Sequence, residues 1–303
     1  MPADPTPILV AAGWLWRVGV HSLVAGVLLH AWARHLGLPA GRTRRLLLAA
    51  VLVVPLVTAS LAGRVPMPLP DGAWFDSARV LALPVGAGLT VAHLAAAAGL
   101  LTAAAALVQE VAPSLRRTRP AGGSLPLQLG RAARALPGWE ACTLHLVAGR
   151  RMLVAAGGPP GRPRLDLSPD VLDLLGEEEL LAVLRHEHAH HAARRWWALH
   201  LLFAARLLQL PNPVALLVFR RYTLELEIAC DADAVAGGDP RTLARALLAV
   251  YEGTDRRDLA SRTVLRHRVD VLLGRQPRLD RALPAESLAA AVVVLLVLLP
   301  WIV

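Results

Sequence analysis

The chain contains no lysine: all 32 of its basic residues are arginine, set against 23 acidic residues for a formal charge of +9. The pI of about 11.2 therefore reflects arginine alone. Aromatic residues are scarce, with three Phe and two Tyr, and most of the eight Trp lie in or beside apolar runs. A nucleic-acid surface interleaves basic side chains with stacking aromatics on one soluble face. Without such a stretch, direct nucleic-acid binding is not expected. Only two cysteines occur, Cys142 and Cys230, far apart and outside any C-x-x-C unit. That excludes a disulfide framework and permits a reducing compartment.

Apolar residues, by contrast, are abundant. They make up 55% of the 303 residues, and the mean hydropathy is +0.48. Crossing about 30 Å of hydrocarbon takes roughly 20 mostly apolar residues in a helix. Ile8 to Leu29 carries only Arg17 as a charge, while Leu46 to Gly63 and Val80 to Val108 carry none. Leu288 to Val303 is very apolar but short. Four spans are expected. Asp4, and no basic residue, precedes the first run, so that segment reads as a retained membrane helix rather than a cleaved signal peptide. Arginines set the orientation. Arg34, Arg42, Arg44 and Arg45 follow the first span, and Arg116, Arg117, Arg119, Arg131 and Arg134 follow the third. The expected solution is a multi-pass protein of the cell membrane, its N-terminus outside and its polar region cytoplasmic. The division is residues 1–112 with three membrane helices, 113–284 cytoplasmic, and 285–303 as a last membrane helix. Trp196 to Phe219 is apolar as well, but Arg206 and Pro211-Asn212-Pro213 interrupt it; a buried or interface-lying helix pair is expected there.

Arg17, His21, His30 and His93 lie in or at the ends of membrane segments, where ionisable groups are functional candidates. Gly86, Gly88, Ala95 and Gly99 have the small-residue spacing that lets helices pack closely.

Past Leu144 the period of the pattern shortens. Leu144 to Val147, Arg151 to Ala156 and Arg164 to Leu167 read as short strands between Gly and Pro turns. A helix starts at Ser168-Pro169-Asp170, and a second at Glu177-Glu178-Glu179, whose acidic first turn suits the positive end of the helix dipole. The second helix runs into Arg185-His186-Glu187-His188-Ala189-His190-His191. The fold class expected is mainly α: integral membrane helices plus a cytoplasmic α+β zincin-like metalloprotease domain with a small sheet.

His186, Glu187 and His190 form H-E-x-x-H. Residues four apart share a helix face, so two imidazoles converge on one metal ion while the intervening Glu projects beside its open position. His188 points away from His186, and pairing it with His191 leaves no glutamate placed as a base. His186 and His190 are therefore the expected ligands of a Zn2+ ion, with Glu187 as general base; His188, His191 and His200 are surface or supporting groups. A catalytic zinc needs a third protein ligand. Glu225 and Glu227 face opposite ways on a helix, and only Glu227 has Asp231 one turn later on its own face. A carboxylate there can hold the second nitrogen of a ligating histidine. Glu227 is the expected third ligand, Asp231 its supporting carboxylate, and Cys230 points elsewhere. A substrate peptide can add as a strand to a free edge of the small sheet.

Pro163-Arg164-Leu165-Asp166-Leu167-Ser168, Glu179 through His190, and Glu227-Ile228-Ala229-Cys230-Asp231 resemble the BlaR/MecR-type membrane zinc peptidases, and more distantly the HtpX and CAAX-type membrane proteases. The resemblance covers about residues 140 to 275. It implies a cytoplasmic gluzincin-like domain with zinc on His186, His190 and Glu227 and with Glu187 as base. It also implies a helix at Val264 to Leu273, bearing Arg266 and Arg268, near the site. The job implied is regulated proteolysis of a protein or peptide substrate, for example a cytoplasmic DNA-binding repressor. The sensor-transducers of the family carry an extracellular penicillin-binding domain after their last membrane helix, and this chain ends at Val303. A signal is then expected to arrive through the membrane helices or a separate partner. A housekeeping quality-control protease shares the same chemistry, and a scaffold or signal transducer with a vestigial metal site is the non-enzymatic alternative.

Overall fold

A computed structural model describes residues 7–35, 41–61, 77–106, 119–120, 127–148, 154–158, 161–209, 212–236, 238–254 and 259–275. The expected last span at Leu288 to Val303 lies outside them, as does Pro211. The chain divides into two compact units, one of residues 1–115, 201–223 and 279–303, the other of residues 116–200 and 224–278.

In the first unit, α1 (Pro7–His35) packs on α2 (Arg42–Leu61). Both contain windows long and apolar enough to cross a membrane, Val10–Ala31 and Arg42–Leu61. The seam carries polar pairs: His21 Nδ1 and Thr58 Oγ1 lie 2.9 Å apart, both buried. Pro55 sits inside α2, where a buried Thr58 hydroxyl donates back to the Val54 carbonyl at 3.1 Å.

The expected continuous helix from Val80 to Val108 does not form. A short helix α3 (Ser77–Ala82) is followed by a two-stranded hairpin, β1 (Pro84–Gly86) with β2 (Leu89–Thr90), and only then by α4 (Val91–Ala106). Gly86, Ala87 and Gly88 all take positive φ (110°, 51° and 75°), a conformation two glycines make accessible and a helix cannot contain. Apolar character alone does not distinguish a spanning helix from a hairpin. The described part of α4, 16 residues, is about 24 Å long at helical rise. Gly86 and Gly88 serve this turn rather than a helix–helix contact.

The second unit opens with β3 (Arg119–Pro120) and α5 (Leu127–Arg134), then the strands β4 (Thr143–Ala148), β5 (Val154–Gly157) and β6 (Arg164–Leu167). The sheet order is β3-β4-β6-β5. β4 runs parallel to β6, with Leu146 opposite Leu167, and β5 is antiparallel to β6 at the edge. Next come α6 (Pro169–Leu174) and α7 (Glu177–His191). Ser168 has the extended backbone of an N-cap, but its side chain makes no capping bond. At the start of α7, Glu179 Oε2 accepts from the Gly176 N–H at 3.2 Å.

Two cores meet on α7. Leu184 joins Leu129, Ala133, Trp139, Leu146, Leu165 and Leu167 between the sheet and α5. Ala182 and Val183 join Val171, Leu175, Leu243, Ala246 and Leu272 on the other side. The latter come from α6 and its C-cap Leu175, α10 (Pro240–Gly253) and α11 (Leu259–Leu272). α7 is therefore held on both flanks before it reaches its histidines. Trp139 is the largest side chain in this core, 2% exposed, with its ring edge-to-face with His188 and His191 at centroid distances of 5.4 and 5.7 Å. Trp139→Ala is expected to cost about 3–5 kcal/mol, read as earlier unfolding of the full chain in detergent micelles.

Trp196 to Phe219 contains two helices. α8 (Ala193–Leu208) and α9 (Pro213–Ala234) each begin in one unit and end in the other. Pro213 opens α9, and Asn212 Oδ1 accepts from the Val214 and Ala215 amides at 3.0 and 3.4 Å.

Candidate metal centre

On α7, His186 and His190 turn their Nε2 atoms to one point, 3.1 Å apart. α9 brings Glu227 beside them, with Oε2 at 3.5 Å from His186 Nε2 and Oε1 at 3.3 Å from His190 Nε2. Among the described residues, these three are the one His/Cys/Asp/Glu group whose donor atoms converge as a metal site requires. Four ligands set tetrahedrally about 2.1 Å from an ion lie about 3.4 Å from one another. The observed separations, 3.1 Å between the two imidazole nitrogens and 3.5 and 3.3 Å from these to Oε2 and Oε1 of Glu227, are close to that spacing. Glu225, two residues earlier, is buried and not in the cluster.

Behind the donors stands Asp231, one turn beyond Glu227. Its Oδ1 lies 2.9 Å from His186 Nδ1, a carboxylate beside the ring nitrogen that does not face the cluster. Arg268 on α11 grips the same carboxylate with two hydrogen bonds, Nε to Oδ2 at 2.8 Å and NH2 to Oδ1 at 2.7 Å, and its NH1 lies 2.9 Å from Glu227 Oε2. Arg266 is exposed. The role of Arg268 is absent from any local pattern, because its partners lie 37 and 41 residues away on another helix. Burial opposes charge throughout this cluster, yet the groups compensate one another. Against burial, Asp231 and Glu227 carry His186 up to about 9. Hydrogen bonds from His186 and His190, with Arg268, hold Glu227 well below the usual carboxylate range.

Glu187 does not belong to the donor triangle. Its Oε2 accepts from the Ala156 N–H of β5 at 2.8 Å, which aims the carboxylate along the sheet edge. Burial pushes its pKa up, and the neighbouring His186 counters that only in part. A raised carboxyl is suited to proton transfer near neutral pH. The other histidines have structural partners. His188 Nε2 donates to the Pro137 carbonyl at 2.9 Å and His191 Nε2 to the Gly158 carbonyl at 3.0 Å. Gly158 has φ +82°, and a Cβ there would lie 2.4 Å from the Arg162 carbonyl oxygen, so only glycine fits the turn that receives His191. His200 is exposed, its Nδ1 2.7 Å from the Trp196 carbonyl. Cys230 is buried with its Sγ 3.9 Å from Arg195, away from the donors. Arg195 itself closes the end of α7, donating to the Ala189 carbonyl at 2.9 Å and pairing with Asp233 at 2.5 Å.

His186, Glu187, His190 and Glu227 open into a cavity of about 740 Å³. One wall is β5 and Gly158; another is apolar, built from Leu243, Ala246, Leu247 and Val250 of α10. Among the described residues, no strand pairs with the outer side of β5.

A cleft of about 740 Å³, a His/His/Glu donor set, a half-buried carboxylate beside it and two apolar helices of membrane-spanning length are consistent with a membrane-associated metallopeptidase. Residues 159–269, a little over a third of the chain, match the model of the BlaR1 peptidase M56 family, to which this stretch is similar. The matched stretch contains the donors, Glu187, Asp231 and Arg268. No curated protein matches the chain.

Proposed function

We propose that the protein is a multi-pass membrane zinc endopeptidase that cleaves protein substrates on the cytoplasmic side in regulated proteolysis, a DNA-binding repressor being one such substrate. The observation that carries this reading is the donor triangle His186, His190 and Glu227, whose 3.1 to 3.5 Å spacing suits tetrahedral zinc. Zinc bound there supplies Lewis acidity, acidifying water and polarising a peptide carbonyl. The chain does the rest. Glu187 takes a proton from the attacking water and passes it to the leaving amine, so that water and a peptide bond become a carboxylate and an amine. Ala156 keeps that carboxylate aimed while the proton moves. Substrate backbone adds to the open edge of β5, and the α10 wall favours an apolar side chain next to the cut. The arginine-rich loops support the orientation, with the N-terminus outside.

The test is metal content and peptide hydrolysis on the detergent-purified chain. About one zinc per chain is expected, as a three-ligand catalytic site holds. Cleavage of apolar-rich peptides should stop with 1,10-phenanthroline and return with added zinc. A chain that retains no divalent metal after zinc loading overturns the assignment of the site.

A further inference from the structure

The α8–α9 hairpin ends on a polar tip that is locked between the two apolar helices of the first unit. Gln209 is 1% exposed; its Oε1 accepts from Ser22 Oγ at 3.1 Å and its Nε2 donates to the Leu52 carbonyl at 2.6 Å. Ser22 and Leu52 stand near the middle of the apolar windows Val10–Ala31 and Arg42–Leu61. On the α9 side, Val218 packs on Ala25, Val51 and Val54, and Val214 approaches Gly26 so closely that a Cβ there would lie 3.3 Å from its Cγ1. The outer faces of the hairpin are apolar and uncovered: Leu201, Leu208 and Leu217 are 67%, 62% and 64% exposed. Arg206, the one charge between Leu201 and Leu208, is turned inward, 3% exposed with its guanidinium 5.7 Å from the Phe219 ring centroid.

We propose that this hairpin is a re-entrant membrane element, entering the bilayer beside α1 and α2, turning at Gln209 near mid-depth, and presenting Leu201, Leu208 and Leu217 to lipid. The inference rests on the reading that α1 and α2 cross a bilayer. Depth arithmetic fits it. Trp197 precedes Gln209 by twelve residues and Arg220 follows Asn212 by eight, which at helical rise is about 18 and 12 Å. Half the hydrocarbon thickness is about 15 Å. Trp197 (64% exposed) and the exposed Arg220 thus fall at one interface, where aromatic and basic side chains anchor helices. Lipid cannot hydrogen-bond an exposed amide group, so a polar tip at mid-depth has to be satisfied by protein. Ser22 and the Leu52 carbonyl do so. In water the same leucines would form an apolar surface that soluble proteins avoid.

The test is nitroxide labelling of single cysteines introduced at Leu201, Leu208 and Leu217 in the full chain, reconstituted into phosphatidylcholine–phosphatidylglycerol vesicles. Wild type, whose two cysteines are buried, is the blank. Leu23→Cys and Val57→Cys report on α1 and α2, and Arg262→Cys on an exposed position of the other unit. Collision with oxygen, which concentrates in hydrocarbon, is compared with collision with a water-soluble nickel chelate. The three hairpin sites are expected to match Leu23 and Val57, with an oxygen-to-nickel ratio about tenfold above that at Arg262, since the hydrocarbon core excludes water. A high nickel collision rate at the hairpin, with lipid-like Leu23 and Val57, overturns the re-entrant assignment alone. Low collision with both reagents places a second copy on the leucines and overturns it too. Water-like Leu23 and Val57 overturn the membrane reading of α1 and α2, and the proposal with it.

Discussion

Glu187→Gln is expected to leave the metal stoichiometry unchanged and to lower kcat for peptide cleavage on the order of 10²- to 10⁴-fold, the range a positioned general base contributes. The substitution keeps the shape of the side chain and an oxygen acceptor for the Ala156 N–H, so the contact to β5 survives. It leaves His186, His190 and Glu227 untouched. What it removes is a basic site beside the donors, in a half-buried carboxyl whose proton affinity is raised. KM should move little, because Glu187 acts on the water rather than on the ground-state peptide. Steady-state kinetics on a fluorogenic peptide, with zinc quantified on the same sample, separates the cases. Full activity at full zinc occupancy would remove Glu187 from the chemistry.

The parts of the site that lie on one helix were legible in the residues themselves. Four-residue spacing puts His186 and His190 on one face wherever a helix forms, and the acidic start at Glu177 with the apolar run after it announces that helix. Glu227 and Asp231 follow from the same geometry two helices later. The strands β4 and β6 are framed by Gly and Pro; β4 extends one residue at each end beyond the reading and β6 keeps its bounds. Arg268 is different in kind. The resemblance places its helix near the site, but its part in holding Glu227 and Asp231 comes from α11 crossing α9, a long-range packing event that no local spacing shows. The run from Val80 to Val108 misled for the opposite reason. Its apolar composition suits a helix and a hairpin equally, and the deciding residues were the glycines at 86 and 88, whose positive φ ends the helical path. Gln209 was likewise unremarkable until its two partners on α1 and α2 were in view.

Asp231→Ala should damage the site without touching a donor atom. Asp231 is 1% exposed and answers two partners, the His186 ring at 2.9 Å and both arms of the Arg268 guanidinium. Deleting it frees the His186 ring to rotate and to change tautomer, and loss of such a supporting carboxylate typically weakens metal affinity about 10- to 100-fold. It also leaves Arg268 buried with Glu227 as its remaining carboxylate, and removing one partner of a buried pair costs about 3–5 kcal/mol. Burial alone would raise the Asp231 pKa, yet Arg268 and His186 hold it below the usual range. Its contribution to stability is therefore complete above the unfolded carboxyl value of about 3.9 and is lost as pH falls further. The gap between wild type and Asp231→Ala should be widest near neutral pH and close in acid. Asp231→Asn retains an acceptor for His186 but not the charge for Arg268. It should recover most of the zinc affinity and little of the stability. Competition with a chromophoric zinc chelator and unfolding in detergent micelles read the two effects independently. Equal recovery of both by Asn would mean that Asp231 serves only the histidine, and that the Arg268 pairing contributes nothing to holding α11 against α9.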